Sequence, residues 1–114
     1  MSKLDEKIAL YQEENKKLGL GMSDEYIANI AKSLGPAIYR ADTEIVACGD
    51  KSELDRIRNN FLKKKLGLDK PNAELDEMLK RVCEKLGTAN RRKYRALFYG
   101  LLAKEAGKED IYLS

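Results

Sequence analysis

The sequence predicts an all-α protein, a compact single-domain bundle of about five main helices. Three observations carry that prediction. Apolar residues recur three and four positions apart along most of the chain. Leu-Gly follows a Lys-containing turn four times, the pattern of a helix stop. The 114 residues, 43% apolar and 36% charged, are enough for one core and too few for two. One domain over residues 1–114 is expected, and disordered and fibrous classes are excluded.

The first helix, near residues 3–18, begins at Ser2 with Asp5 placed as in a capping box and carries Leu4, Ile8, Tyr11 and Leu18 on one stripe. Lys17-Leu18-Gly19 ends it. Ser23 and acidic Asp24 and Glu25 open a second helix near 24–34, with Ile27, Ile30, Ala31 and Leu34 inward and Gly35 as its stop. Pro36 and Pro71 both lie between a stop and the next apolar series, where a missing N–H costs least.

Residues 37–48 are ambiguous, because Glu44 to Cys48 reads either as a short helix capped by Asp42 or as a brief extended piece; the helical reading is preferred here. Ser52 with Asp55 then starts a helix near 53–66, with Leu54, Ile57, Phe61 and Leu62 inward and Gly67 as its end. A fourth helix near 73–86 buries Leu75, Met78, Leu79, Val82 and Leu86. Thr88 starts a fifth near 89–106 with Tyr94, Leu97, Phe98, Leu101 and Leu102 as its stripe. The tail, 108–114, keeps Ile111, Tyr112 and Leu113 and is expected to pack back on the body. The first four stop glycines stand 16, 32 and 20 residues apart, too irregular for a repeat array.

Three segments, Leu34 to Tyr39, Phe61 to Leu68 and above all Val82 to Leu102 (VCEKLGTANRRKYRALFYGLL), give the chain a resemblance to a family of short bacterial proteins catalogued only as a domain of unknown function. The resemblance covers nearly the whole chain and is most specific from Asn90-Arg91 to Tyr99. It implies a small, mostly helical, free-standing protein. No activity and no catalytic residues come with it.

Charge is uneven. Residues 1–57 hold 8 Lys or Arg against 11 Asp or Glu, a net of −3, whereas residues 58–114 hold 14 against 8, a net of +6. The acidic half either folds against the basic half or leaves it free for an anion. Lys63-Lys64-Lys65 closes a helix, where cations are favoured. Arg91, Arg92, Lys93 and Arg95 instead fall in the opening turns expected of the last helix, where the macrodipole disfavours them. Arg91 projects with Tyr94 and Phe98, so an internal acid is expected to hold it. Arg92, Lys93 and Arg95, with Tyr99 beside them, form the candidate interaction surface for an acidic partner.

The other face of that helix carries Ala96, Gly100 and Ala103, a small-residue strip that predicts close approach of a neighbouring helix from the same chain, with a second copy as the alternative. Cys48 and Cys83 read as reduced, buried thiols, with a disulfide as the other option.

The chain has no His, no Walker loop and no dinucleotide fingerprint, so no catalysis, no metal and no cofactor is expected. Asp42 and Glu44 at that spacing read as ordinary surface carboxylates. No stretch without a charge exceeds the eight residues Ala96 to Ala103, well short of the roughly 18 needed to cross a bilayer. The start of the chain carries no secretory pattern, and a cytoplasmic setting is expected. The expected role is an interaction or structural protein that binds another protein or itself. The alternative is weak nucleic-acid binding, with the last helix as the second helix of a helix-turn-helix, although a pI of about 8.8 is low for that task.

Overall fold

Two helices open the chain where the caps place them. In the computed structural model, which describes residues 2–113, α1 runs Lys3–Leu18 and α2 runs Asp24–Leu34. The Ser2 hydroxyl accepts from the Asp5 N–H at 3.1 Å, and the Ser23 hydroxyl from the Tyr26 N–H at 3.2 Å. Gly19, at φ 64°, closes α1 in the left-handed conformation that glycine adopts without steric cost. Asn15 fixes the turn between them. Its side-chain amide donates to the Met22 carbonyl at 2.9 Å and accepts the Met22 N–H at 3.1 Å, which satisfies a buried backbone that would otherwise lack partners.

A 3₁₀ turn, Gly35–Tyr39, leads into the short helix α3, Ala41–Glu44. The helix stops there. Ile45 is extended and forms an antiparallel bridge with Tyr94, and the Val46 N–H donates to the Lys93 carbonyl at 2.9 Å. The preferred helical reading of Glu44 to Cys48 is therefore corrected to the extended one, because the backbone there is paired with a distant segment.

Helix α4, Lys51–Arg56, starts two residues earlier than expected, because Asp50 and not Ser52 caps it, accepting the Ser52 N–H at 3.0 Å. It continues without a break into a π segment, Ile57–Lys65. The wider π turn, with hydrogen bonds between residues five apart, brings positions four and five apart onto one face. That matches the buried set Ile57, Phe61, Leu62 and Leu66.

Helix α5, Asn72–Leu86, buries its whole apolar stripe. Helix α6 spans Arg95–Glu105, six residues shorter at its start than the expected 89–106. Asn90 explains the delay. Its side chain donates to the Leu86 carbonyl and accepts the Arg92 N–H, both at 2.9 Å, so it competes with a helical path for the same backbone groups. Helix α7, Asp110–Leu113, packs on α2, with Tyr112 buried and the Asn29 amide donating to the Tyr112 carbonyl at 2.6 Å. Among the described residues there is no named strand, and no helix is long and apolar enough to cross a membrane.

Helix α6 lies at the centre, covered by α2 on its small-residue face and by α5 on the other. The strip expected from Ala96, Gly100 and Ala103 is buried inside one chain. An ideal Cβ on Gly100 would stand 2.8 Å from Ile30 Cδ1 and 2.9 Å from Met22 Sδ, and the Tyr26 hydroxyl donates to the Gly100 carbonyl at 2.7 Å. Cys48 and Cys83 form a disulfide with Cα atoms 6.1 Å apart, which corrects the reading of two reduced thiols. Closing a loop across 35 positions stabilises the fold by about 4 kcal/mol in the chain-entropy model.

Two outcomes follow from this packing. Gly100→Ala should change the stability to urea by less than about 1 kcal/mol, since the gain in helix propensity offsets the shift asked of Ile30 and Met22. Gly100→Val should lose about 3 kcal/mol, because its branched side chain cannot clear Tyr26 as well. Burial pushes the Tyr112 phenol up to about 12 and raises Tyr11 and Tyr26 further still, Tyr11 with help from its bond to Glu44. The folded state thus keeps phenol protons that the unfolded chain gives up near pH 10. Stability is fully present below pH 10 and falls as pH rises through 12. Denaturation monitored between pH 8 and 12 should trace that decline, and a flat profile would mean the phenols are not buried.

Candidate interaction surface

The four residues singled out for an interaction surface do not share one. Arg91, Arg92 and Lys93 precede α6 instead of opening it, so the electrostatic penalty expected of them at a helix start does not apply. Lys93 is only 8% exposed, and its ammonium donates to the Asn90 carbonyl at 2.5 Å. Arg95 is the first residue of α6, and its side chain is only 11% exposed. Tyr99 is half-buried, stacked on Phe61 with ring centroids 4.1 Å apart. Of the four, Arg92 alone is exposed.

Arg95 sits in a tertiary clamp. Its Nε donates to the Thr43 carbonyl at 2.5 Å, Nη1 to the Tyr99 hydroxyl at 3.0 Å, and Nη2 to Glu53 Oε1. The second Glu53 oxygen accepts from Arg56 at 3.1 Å. Burial works against the charge of Arg95, but Tyr99 and Glu53 outweigh it and raise its pKa above the ordinary arginine value. One cation does stand against the α6 dipole, and an internal carboxylate compensates it. Arg95 and Tyr99 line one wall of a cleft of about 470 Å³ that also holds Asp42, Glu53, Arg56 and Asn60. Its charges are of both signs, and Glu53 already pairs with both Arg56 and Arg95.

The internal partner expected for Arg91 belongs instead to Arg95. Arg91 is exposed, and neither Arg91 nor Arg92 has a side-chain hydrogen bond or ion pair among the described residues. Both project from a loop, 87–94, whose backbone is tied at several points: Asn90 N–H to the Gly87 carbonyl at 3.0 Å, Asn90 to Leu86 and Arg92, and the Lys93 carbonyl to Val46. The signal available in the sequence was Asn90 three residues after Gly87, a turn pair.

Asp42 and Glu44 diverge. Glu44 is committed inside, accepting from Lys7 at 2.8 Å and from the Tyr11 hydroxyl at 2.6 Å, which joins α3 to α1. Helix α6 has no open face for a DNA groove, since Ala96, Leu97, Phe98, Gly100, Leu101, Leu102 and Ala103 are all buried. The helix-turn-helix expectation therefore has no recognition helix. Among the described residues, no group of three or more Cys, Asp or Glu side chains is placed to hold a metal.

A family model described as a protein of unknown function (DUF2853) matches residues 10–110. No curated protein matches the chain.

The clamp has a measurable consequence. Glu53→Ala should lower the unfolding free energy by about 3 kcal/mol in urea titrations, because it strands a mostly buried guanidinium. Combining it with Arg95→Met should recover a large part of that loss, since no unpaired charge then remains. Simple addition of the two losses would mean that the residues do not interact.

Proposed function

The chain belongs to this family of proteins of unknown function (DUF2853), and on that premise we propose that it is a non-catalytic helical interaction module that docks an acidic protein partner on its 87–94 loop. One observation carries the proposal. Arg91 and Arg92 are exposed on a backbone tied down by Asn90 and Val46, and no carboxylate among the described residues pairs with them. A tied loop loses little entropy when it binds, so even modest charge pairs count toward affinity. Arginine forks also suit carboxylates geometrically.

Lys93, Arg95 and Tyr99 support this surface from beneath instead of touching the partner. The first holds the loop to itself, and the other two anchor α6 below it. The lack of His in the chain supports a binding role over acid–base catalysis at neutral pH. The proposal carries a cytoplasmic setting with it. In that compartment a disulfide such as Cys48–Cys83 meets a reducing background and serves as a reactive bond more often than as a permanent one.

The test is a titration of a labelled glutamate- and aspartate-rich peptide, beside single- and double-stranded nucleic acid, at low and moderate salt. Arg91→Gln with Arg92→Gln should weaken the peptide about tenfold, the effect of two exposed pairs at about 0.7 kcal/mol each, and leave the melting temperature unchanged. Equal binding by the variant would remove the loop from any docking role. Tighter binding of nucleic acid with a steep salt slope would replace the protein partner by a phosphate backbone. Light scattering across a concentration series checks whether the partner is a second copy.

A further inference from the structure

The Cys48–Cys83 disulfide is not sealed in the core. It lies in a surface groove of about 190 Å³ between α4 and α5, lined by Lys51, Leu54, Asp55, Asp76 and Lys80 besides the two cysteines. Cys48 is half-buried, whereas Cys83 is buried, at 9% exposed. Of the two residues, Cys48 is therefore the more accessible.

The groove lining holds two cations and two carboxylates, and the carboxylates are already engaged from outside it. Asp55 and Asp76 are both engaged by Arg58, whose Nη1 stands 3.1 Å from Asp55 and 2.9 Å from Asp76. Lys51 and Lys80 make no ion pair among the described residues. Lys80 lies three positions before Cys83 on α5, on the same side of the helix. Positive charge beside a sulfur lowers the cost of its thiolate form, which makes it a better leaving group. Cys83 needs that help, because it lies in the last turn of α5, where the helix dipole opposes an anion.

We propose that Cys48–Cys83 is a thiol–disulfide exchange site, opened by a dithiol reductant that enters this groove and attacks the Cys48 sulfur. The attacking thiolate forms a bond to Cys48 Sγ as the Cys48–Cys83 bond breaks. The bonding pair moves to Cys83 Sγ, which then takes up a proton. The second thiol of the reductant, deprotonated, attacks the mixed disulfide and displaces Cys48 as a thiolate, which is protonated in turn. The reductant leaves as its own disulfide, oxidised by two electrons, and the protein holds two thiols.

What the bond restrains is local. Cys48 follows Val46, which bonds the Lys93 carbonyl, and precedes Asp50, the cap of α4. The rest of the core does not run through it: Leu75, Leu79, Val82 and Leu86 hold α5 in place by burial. Reduction is thus an event within a folded protein.

The experiment uses the oxidised full chain without denaturant. It is mixed with dithiothreitol, quenched at intervals with a maleimide and weighed by mass spectrometry, with circular dichroism followed in parallel. Two maleimides should be added while the helical signal is kept. Lys51→Gln with Lys80→Gln should slow the reaction by about threefold or more at unchanged melting temperature. Oxidised glutathione, whose halves carry no second thiol, should form a mixed disulfide with Cys48 in a Cys83→Ser chain faster than with Cys83 in a Cys48→Ser chain. Reduction that occurs only at the rate of global unfolding would overturn the proposal and leave the bond a structural staple. So would an unchanged rate in the double lysine variant, or a purified chain whose two thiols fail to oxidise.

Discussion

A helix with no free face sets the terms for the rest of this molecule. Helix α6 is covered on its large-residue side by α5 and on its small-residue side by α2, which comes so close that a Cβ at Gly100 would have to push Ile30 and Met22 aside. Burial on both sides leaves α6 with only its ends to satisfy from outside the helix. At its start the polar burden is a guanidinium, and in so dry a position a carboxylate must accompany it. Glu53 does so, and thereby fixes where α4 sits relative to α6.

The connections follow from the same requirement. Val46 and Lys93 pair their backbones, Asn15 closes on Met22, and Asn90 satisfies the end of α5 while it redirects the chain. Each is a polar answer to buried backbone that no helix serves. Together they turn the segment ahead of α6 from a helical continuation into a tied loop that displays Arg91 and Arg92. The scaffold and the displayed charge are consequently different residues, although they are neighbours in the chain.

The uneven charge of the two halves is resolved only in part internally. Arg95–Glu53 and Arg58–Asp55 join the basic half to the acidic one, while Lys7–Glu44 and Arg81–Glu105 stay within a half. Much of the excess positive charge therefore remains on the surface, where Lys63, Lys64, Lys65, Arg91 and Arg92 are all exposed. Lys65 additionally approaches the Tyr112 ring, 5.9 Å from its centroid.

The helical class, the extents of α1 and α2, the apolar stripes of α5 and α6, and the positive φ of Gly19, Gly35, Gly67 and Gly87 were all legible in the chain. Each rests on residues at most a few positions apart, which is the range over which caps, dipoles and helical periodicity act. What was not legible joins residues far apart: the Ile45–Tyr94 bridge, the Glu53 clamp on Arg95, and the pairing of Cys48 with Cys83. Four cations within five positions look alike in a sequence. Which one is buried beside a carboxylate and which two face water depends on where α6 begins, and a backbone bond from residue 46 helps to decide that.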